Sequence, residues 1–587
     1  MEIVQKLGRM PIVLVVPALA ILLSVVGLPL FQLFLDSFNA PEFSITNYQA
    51  FFGKSGWPVL IQTITISLVV TAICLIVGYP LAYLIMSTSK RLRVILIVLI
   101  VLPWLTSALV RTYAWTVILG DHGVINSLLL DLGVISSPLS LIYNRFGAYV
   151  GMVHIMLPTM ILPLLSVMNG IDKSLMEAAR SMGARPFEAF WRIFVPLSLP
   201  GVRSGSLLVF VVCLGFYITP QALGGLREIM LATYIAETFR STSNLPAIAT
   251  SAFILLALAM LVLSIFGLDL SGGKASDASI VRTTWLNRIN PLRRVADKAT
   301  NHHRSKRWTA ELYQSARPSV WARIVGGLYV VLAMAFLQFP GLVIVVMSFS
   351  AGAFLEFPPA GFSLKWYYVL LGDAGWMDAF LTSLKLGVAV AILSTITGTL
   401  AAYGIDRTSP RLRNILTMAI VTPITAPVIV MGVAAYFGLL HLGLIGSTIG
   451  VVLAHSGGAI ALVVVTVSAT FANFDKQLER AALSMRADPL RTFVRVTLPL
   501  IRPGIIGGAM FAFISSFDEV IVTSLVGGFS VYTLPLKMLE NLKQQIDPTL
   551  AAVGSLLTLM PLLWLVALYL TWWRKRLTSQ TSSLKEA

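Results

Sequence analysis

The chain has 587 residues, of which 57% are hydrophobic and 12% are charged, and its formal net charge is +17. A mean hydropathy of +0.84 excludes a water-soluble globular domain, in which roughly half of the residues are apolar and about a quarter are charged. The composition indicates a polytopic membrane protein. Its two cysteines both fall in predicted spans, so neither a disulfide nor a Cys-based metal site is expected.

Apolar stretches long enough to cross a bilayer occur twelve times, in two sets of six. A bilayer core of roughly 30 Å requires about 20 apolar helical residues. The first set lies near residues 10–35, 57–86, 92–119, 148–169, 201–222 and 247–269. The second set lies near residues 321–349, 376–404, 414–440, 446–470, 503–526 and 550–573. The sequence therefore predicts an all-α membrane protein with twelve transmembrane helices.

The distribution of Lys and Arg predicts the orientation of these spans. If the N-terminus is cytoplasmic, the cytoplasmic segments contain 32 of the 43 basic residues, and both termini lie inside. This asymmetry explains most of the net charge and disfavours nucleic-acid binding. Two six-span modules, 1–270 and 321–587, flank a segment at 271–320 with ten basic and three acidic residues. We expect that segment to be a cytoplasmic linker, with contact to anionic membrane lipid as an additional hypothesis.

One polar segment occurs at the same place in both modules. Residues 175–202 (LMEAARSMGARPFEAFWRIFVPLSLPGV) align without a gap with residues 478–505 (LERAALSMRADPLRTFVRVTLPLIRPGI), 303 residues later. Each copy lies between the fourth and fifth spans, in the predicted cytoplasmic loops 171–200 and 474–502. The pattern predicts two short helices broken at a turn, with prolines ending the second helix and beginning the next span. Small Ala side chains permit close approach of a partner, so we interpret the repeat as a docking element rather than a simple connection.

These residues resemble the EAA loop of the permease subunits of type I ATP-binding-cassette importers. The motif consists of Glu-Ala-Ala, then Gly, then a downstream Pro. The first copy contains all of it: Glu177, Ala178, Ala179, Gly183 and Pro196. The second copy keeps the alanines and the proline but replaces the other two residues with arginine: Arg480, Ala481, Ala482, Arg486 and Pro499.

The second copy has a glutamate, Glu479, one position before the place of the motif's Glu. One residue turns a helix surface by about 100°, so whether Glu479 substitutes for it is left open. Asymmetric coupling by the two loops is therefore a hypothesis of the sequence.

The resemblance implies two six-helix type I importer permease modules in the bacterial inner membrane, forming a transport subunit and not an enzyme. In that family each half holds one cytoplasmic ATPase through this loop. Two ATPase copies, which would carry ATP and Mg²⁺, and a periplasmic substrate-binding protein are the implied partners. The chain has no GxxxxGK[ST] phosphate loop, and LSGGK at 270–274 is interpreted as linker sequence. No cofactor or metal is expected in this chain, and His302 and His303 are interpreted as solvated linker residues.

Phrases outside the loop resemble permeases of spermidine/putrescine importers. Two phrases are similar to the first permease subunit of those systems, LVRTYAWTVILGDHGVINSLL at 109–129 and GFYITPQALGG at 215–225. Two others are similar to the second subunit, SFDEVIVTSLVGG at 516–528 and TLPLKMLENLKQQIDPTLAAVGSLL at 533–557. The resemblance implies two fused subunits and a polyamine or related small cation as substrate. The alternatives are a fused permease for ferric iron, thiamine or an opine, and a proton-coupled secondary transporter, which would give no reason for the repeated loop.

Two acids in the predicted eleventh span are candidates for the substrate pathway. Asp518 and Glu519 lie about 15 residues into that span, roughly 22 Å along a helix, and acids at such depth normally face a pathway or a partner. The 303-residue offset aligns them with Gly215 and Phe216, so a carboxylate wall and an aromatic wall would face a cation. Alternatively, the acids bind basic residues of neighbouring helices or a receptor. The candidate pathway residues are Trp104, Phe216, Tyr217, Thr219, Phe517, Asp518 and Glu519.

Three other polar residues in the spans are assigned less specific roles. Arg111 is late in the third span and is expected near the outer membrane interface. His154 and His455 fall in the matched fourth spans and are expected to be packing residues.

Overall fold

The computed structural model of the chain describes residues 11–266 and 320–563, apart from residues 40, 243, 354–356, 360, 529, 545–547 and 561. The predicted linker, with His302 and His303, lies almost wholly outside these ranges, as does the second part of the predicted twelfth span. The described residues form helices and contain no strand beyond an isolated bridge between Ser350 and Phe362. The all-α prediction is confirmed.

Among its described residues, the first half contains five helices that are long and apolar enough to cross a membrane, one bent pair of helices and short helices between them. Its helices are α1 Ile12–Ser37, α2 Thr46–Ala50, α3 Gly56–Ser87, α4 Lys90–Trp104, α5 Ala108–Leu119, α6 Val124–Asp131, α7 Arg145–Asn169, α8 Lys173–Ser181, α9 Pro186–Leu214, α10 Ile218–Leu223, α11 Leu231–Ser241 and α12 Leu245–Phe266.

The second half repeats this order, except that its described residues contain no counterpart of α6. Its helices are α13 Val320–Met347, α14 Lys365–Gly372, α15 Ala374–Asp406, α16 Pro410–Thr425, α17 Val428–His441, α18 Thr448–Phe471, α19 Lys476–Ser484, α20 Pro489–Phe517, α21 Ile521–Val526, α22 Leu534–Gln544 and α23 Thr549–Met560. From α8 to α11 and from α19 to α22, the bounds of each pair differ by 303 residues, so the offset of the repeat extends far beyond the loop.

Nine helices of the described part are long and apolar enough to cross a membrane, which makes the chain a multi-pass membrane protein. Two bent pairs of helices meet the same test when each pair is joined, which brings the total to eleven. The helix α23 is apolar but shorter within the described residues. The count of twelve therefore stays a prediction.

Two predicted spans are wrong as continuous helices. Residues 92–119 bend by 90° after α4, and residues 414–440 bend by 105° after α16. A proline disfavours helical geometry in the residue before it, and Ala426, which precedes Pro427, is extended with ψ of 143°. In the first half, the Ser107 hydroxyl accepts a 3.2 Å hydrogen bond from the N–H of Leu109 and caps a new helix.

Two further predicted spans, 201–222 and 503–526, are also interrupted. The helix α9 ends at Leu214 and α20 ends at Phe517, and in each half three residues separate the long helix from the short one that follows. These interruptions, residues 215–217 and 518–520, are called the central breaks below. The sequence predicts that Asp518 and Glu519 lie within one continuous helix. This prediction is wrong, because both residues lie in the second central break.

The first long helix of each half packs against the other half. The N-terminal part of α1, including Val15 and Leu22, belongs to a buried apolar cluster with second-half residues such as Leu386. Conversely, α13 packs into a cluster of the first half, where the Tyr329 hydroxyl donates a 2.7 Å hydrogen bond to the carbonyl of Val77. The two halves are thus interlocked rather than merely adjacent.

Candidate functional site

The repeated segment forms matched helices, α8 and α19, at the same end of their halves. Each begins at an aspartate that caps the first turn. The Oδ1 atom of Asp172 accepts a 2.9 Å hydrogen bond from the N–H of Ser174, and that of Asp475 accepts one of 2.9 Å from the N–H of Gln477. We call α8 with its flanking turns the first coupling loop and α19 with its flanking turns the second coupling loop.

Both coupling loops end in the same left-handed turn, although one has glycine there and the other arginine. Gly183 has φ of +89° and Arg486 has φ of +64°. The hydrogen bonds from Ala184 N to Ala179 O (3.0 Å) and from Ala487 N to Ala482 O (3.1 Å) close the two helices in the same way. The replacement of the motif's glycine has thus not altered the backbone, but it holds a non-glycine residue in a conformation that costs roughly 1 kcal/mol.

The prediction that prolines end the second short helix is wrong. Residues 186–214 and 489–517 are each one uninterrupted helix. Each of these helices contains one wide π-helical turn before its proline. The turn is Phe190–Phe194 before Pro196 in the first half and Phe493–Thr497 before Pro499 in the second. Such a turn accommodates a residue that lacks an N–H donor and whose ring would clash with the preceding turn.

The coupling loops expose large apolar side chains at matched positions. These are Leu175, Met182 and Phe187 in the first loop and Leu478, Met485 and Leu490 in the second. The two methionines are 82% and 84% exposed. Glu177 and Ala178 are exposed, as are Arg480 and Ala481, whereas Ala179 is buried and Ala482 is partly buried. Exposed apolar side chains that lie close together are typical of interaction sites.

Glu479 does not take the place of Glu177, because it points inward. Its two carboxylate oxygens accept hydrogen bonds of 2.5 and 2.6 Å from Nη2 of Arg407, and the Thr497 hydroxyl donates to it as well. The Arg407 guanidinium lies 3.4 Å from the ring centre of Tyr403. An ion pair of 2.9 Å between Lys476 and Asp406 completes what we call the anchor network.

The first coupling loop is held by apolar contacts instead. Met176 aligns with Glu479, and it is partly buried against a cluster that includes Phe190. In this part of the chain the two halves align at an offset of 320 residues, so that Tyr83 corresponds to Tyr403. The Tyr83 ring packs on Phe190 and Phe194, with ring centres 5.0 and 5.1 Å apart. Where the second half has Asp406 and Arg407, the first half has Met86 and Ser87.

One helix connects each coupling loop to a central break. At 1.5 Å per residue, the 29 residues of α9 and of α20 span about 43 Å. Each coupling loop is thus joined to residues 215–217 or 518–520 by one continuous helix.

At the central breaks, each half touches the bend in the third span of the other half. The Oδ2 atom of Asp518 is 3.4 Å from the N–H of Ala108, the first residue of α5. Ser107 also hydrogen-bonds this carboxylate, and Arg111, one turn along α5, is close enough for its charge to interact with it. A carboxylate at a helix N-terminus is favoured by the helix dipole.

The matched contact in the first half has no charge. A Cβ atom on Gly215 would lie 2.9 Å from Cβ of Pro427, directly before the first residue of α17. The absence of a side chain at Gly215 lets the central break of the first half approach the bend before α17. The same pseudo-symmetric contact is therefore closed by backbone packing on one side and by Asp518 on the other.

Glu519 is satisfied by its own half. Its Oε1 atom accepts hydrogen bonds from the N–H groups of Ile521 (2.8 Å) and Val522 (3.0 Å), which starts α21. The His455 ring forms hydrogen bonds with the Ser516 hydroxyl through Nδ1 (2.9 Å) and with the Thr523 hydroxyl through Nε2 (3.0 Å). It thereby links the two helices on either side of the same break. The two adjacent acids thus contact different halves of the molecule.

A cavity of about 240 Å³ lies between the central break of the first half and the bend before α17. Its lining is mainly apolar and comes from both halves: Ala108, Val211, Val212, Gly215, Phe216, Tyr217, Ile218, Thr219, Ile424, Thr425, Ala426, Pro427, Val428 and Ile521. It includes three predicted pathway residues, Phe216, Tyr217 and Thr219. The lining does not include the other four.

Those four pathway candidates lie around the cavity rather than on it. Asp518 and Glu519 occupy the break beside it, and Phe517 stacks on Phe513 with ring centres 5.6 Å apart. Trp104, at the end of α4, is 45% exposed.

The sequence predicts Arg111 near the outer membrane interface. In the structure its side chain is instead buried, at the contact between the halves. The predicted third span bends before it, which turns α5 into the protein. His154 is buried and packs on Trp115 and Phe336, with its Nε2 atom 3.2 Å from the carbonyl of Leu337, so it is a packing residue.

The sequence reasoning missed the caps and the anchor network. Asp172 and Asp475 were detectable, because the repeat has identical Asp-Lys pairs just before the aligned segment. Arg407 had a weaker signal, since AAYGIDR at 401–407 aligns with LAYLIMS at 81–87 and differs by an acid and a base. Nothing in the sequence joined Arg407 to Glu479, which is 72 residues away.

Comparison with known proteins decides the family. The family model described as the binding-protein-dependent transport system inner membrane component matches residues 74–269 and again residues 394–579. The chain belongs to this family. It contains two copies of the family's domain, and the resemblance to fused permease subunits is confirmed.

Curated permeases of this family are similar to part of the chain. The spermidine/putrescine transport system permease protein PotB of Haemophilus influenzae is 34% identical over 230 residues, which are 39% of this chain and 80% of that protein. PotB of Escherichia coli is 32% identical over 228 residues, 39% of this chain and 83% of that protein. The putrescine transport system permease protein PotI of Escherichia coli is 31% identical over 235 residues, 38% of this chain and 83% of that protein.

Proposed function

We propose that this chain is the membrane-spanning permease of an ATP-driven importer for a polyamine such as putrescine or spermidine. A periplasmic binding protein would deliver the substrate, and two cytoplasmic ATPases, each with ATP and Mg²⁺, would drive its release inside. The family description supports dependence on a binding protein. The names of the PotB and PotI permeases support the substrate class. Both termini would be cytoplasmic, as the basic loops favour.

The observation that carries the proposal is the continuous helix from each coupling loop to a central break. An ATPase that moved α8 and α19 toward each other would move α9 and α20 as rods, and with them the two breaks around the cavity. Alternating access follows if the breaks separate on one side of the cavity while they meet on the other. The exposed apolar residues of both loops supply a surface for two ATPase copies.

Asp518 is the acid that can exchange partners. It binds the start of α5 in the other half, so separation of the halves would free its carboxylate. Glu519 binds the N–H groups of its own short helix and would move with them. We therefore assign the transient contact with a substrate ammonium to Asp518, beside the aromatic rings of Phe216 and Tyr217.

Reconstitution tests the substrate class. The chain, assembled with its ATPase and binding protein in proteoliposomes, should show ATPase stimulation by binding protein loaded with putrescine or spermidine. Stimulation only by binding protein loaded with ferric ion, thiamine or an opine would overturn the polyamine assignment but keep the importer. Loss of stimulation in Glu177→Lys with intact assembly would support docking through the first loop.

The two acids can be separated in the same system. Asp518→Asn should lower polyamine uptake at limiting substrate by about tenfold, the effect of losing one charged contact of roughly 1.4 kcal/mol, while the complex still assembles. Uptake equal to that of the unmodified chain would remove Asp518 from the pathway.

A further inference from the structure

A second charged cluster lies beyond the cavity, on the side away from the coupling loops. It is formed by α11 and α22, which correspond at the 303-residue offset. The helix α11 packs against the far end of α3, where the Thr63 hydroxyl accepts a 2.7 Å hydrogen bond from the N–H of Leu231. The coupling loop instead packs near Tyr83, at the other end of α3. The cluster thus stands at the entrance opposite the ATPases.

In this cluster, the ammonium group of Lys543 crosses from the second half to the first. Its Nζ atom is 3.9 Å from Oε1 of Glu237 and 5.9 Å from the ring centre of Tyr217. Gln221 holds the carboxylate in place, because its Nε2 atom donates a 2.8 Å hydrogen bond to the same oxygen of Glu237. A carboxylate and an aromatic face together are the partners that a primary ammonium ion prefers.

The cluster is not fully satisfied by Lys543. Among the described residues, Oε1 of Gln221 and the hydroxyl of Tyr217 are buried and make no hydrogen bond of standard geometry, although the hydroxyl is close enough to Gln221 and to Arg240 to interact with both. The Lys543–Glu237 pair is long, and the Glu237 side chain is 52% exposed, so the pair is weak. Burial and then the neighbouring Arg240 lower the pKa of Lys543. The ammonium therefore occupies the cluster without being locked there.

The corresponding place in the second half lacks the same features. Glu540 aligns with Glu237, but it accepts a hydrogen bond from the Tyr532 hydroxyl. Val520 aligns with Tyr217, so there is no aromatic ring in the break. Of these two matched places in the described part of the chain, only the first-half cluster combines a carboxylate, an aromatic ring bordering the cavity and a side-chain amide.

We infer that Glu237, Gln221 and Tyr217 form an entry subsite for a primary ammonium group, and that Lys543 holds this subsite until one end of the transported amine displaces it. The side chain of lysine ends in a butylammonium group, which has the chemistry of one end of putrescine. The exchange keeps the net charge of the subsite constant. Because Tyr217 also lines the cavity, an ammonium in this subsite stands next to the central breaks. This inference rests on the proposed function for its substrate.

Binding of radiolabelled putrescine to the permease–ATPase complex in nanodiscs tests the subsite by equilibrium dialysis. Lys543→Gln removes the competing ammonium and should tighten putrescine binding by about threefold, the effect of one partly exposed ion pair. Glu237→Gln should weaken it by about the same factor. Lys537→Gln is the matched control, because Lys537 on the same helix also pairs with a carboxylate, Asp373 at 3.2 Å, and an aromatic ring, away from the cavity.

Equal affinities in the unmodified chain and in both the Lys543 and Glu237 variants would overturn the subsite, as would an equal change in the Lys537 variant. Propylamine separates this result from failure of the proposed function. If the unmodified complex does not transport polyamines but Lys543→Gln binds propylamine more tightly, the subsite stands and the substrate assignment fails. If putrescine is transported but neither amine responds to the variants, only the subsite fails.

Discussion

The two coupling loops have the same backbone but are attached to the membrane helices by different chemistry. In the first loop Met176 is partly buried against an apolar cluster that includes Phe194, whereas the second loop is held by the ion pair between Glu479 and Arg407. Outward, the first loop presents Glu177 and the second Arg480 at the aligned position. If an ATPase docks on each loop as proposed, the two ATPases would meet similar exposed apolar side chains but opposite charges at this position. The shape of a coupling loop can thus be kept while its attachment and its outer charge diverge.

The largest expected effect comes from breaking the anchor network. Glu479→Ala would leave the mostly buried guanidinium of Arg407 without its carboxylate, and α19 should lose about 2 kcal/mol of local stability. Amide hydrogen exchange of α19 and α8 in the purified chain measures this loss. Faster exchange in α19 alone would support the comparison, and equal exchange in both loops would contradict it. Met176→Ala provides the matched change in the first loop.

Replacing the ion pair of the second loop by the aligned residues of the first half tests whether the two attachments are interchangeable. The double variant Glu479→Met with Arg407→Ser removes both members of the pair together, so no charge is left unpaired. Most of the stability lost in Glu479→Ala should return, because replacing both partners by groups that pack is close to neutral. Hydrogen exchange as slow as in the unmodified chain is the expected result. Exchange as fast as in Glu479→Ala would mean that the ion pair is indispensable to this loop.

A smaller effect is expected at the end of the two helices. Arg486→Gly should stabilise α19 by about 0.5–1 kcal/mol, because glycine adopts the left-handed conformation of this residue without strain. The reverse change, Gly183→Arg, should destabilise α8 by a similar amount, since a Cβ atom there meets nothing within 4 Å and the cost is confined to the backbone. Loss of transport in Arg486→Gly would show that the arginine side chain has a docking role.

The smallest effect concerns the start of α8. The backbone and side-chain hydrogen bonds from Ser174 lower the pKa of Asp172 below its ordinary value of 3.8. The ionised Asp172 therefore stabilises the start of α8 at pH values above 3.8, and this stabilisation is lost as the pH falls through the lowered pKa. Hydrogen exchange of the first turn of α8 should accelerate in that range. Asp172→Asn, which also caps a helix, should abolish this pH dependence, and persistence of the dependence would assign it to another group.

The all-α class and many of the apolar helices could be predicted from the sequence, because the length of an apolar stretch follows directly from the thickness of the bilayer. The interruptions could not. Breaks such as those after Phe517 and Leu214 depend on a partner half that approaches them, and the contact between Asp518 and Ala108 joins residues 410 positions apart. Local patterns predict where a helix can form but not which distant group will satisfy its ends.

The site was predictable in the same uneven way. The repeat predicted that the two coupling loops have matching helices, and the phrase at 215–225 contains Phe216, Tyr217 and Thr219, which line the cavity. The roles of these residues in coupling and transport stay predictions. Arg407, Glu237 and Lys543 were missed since each acts through a partner on another helix. Charge alone did not distinguish them from ordinary surface residues.

The interlocked first helices have a consequence for how the chain is made. The helix α1 is synthesised long before Leu386 and the other second-half residues that cover it. Until then, the side of α1 that will contact them must face lipid. Two separate subunits would have to meet in the membrane to complete this packing, at a rate set by their abundance. In the fused chain that encounter is intramolecular, so assembly no longer depends on expression level. The joined polypeptide thus fixes a one-to-one stoichiometry between two halves that are not interchangeable.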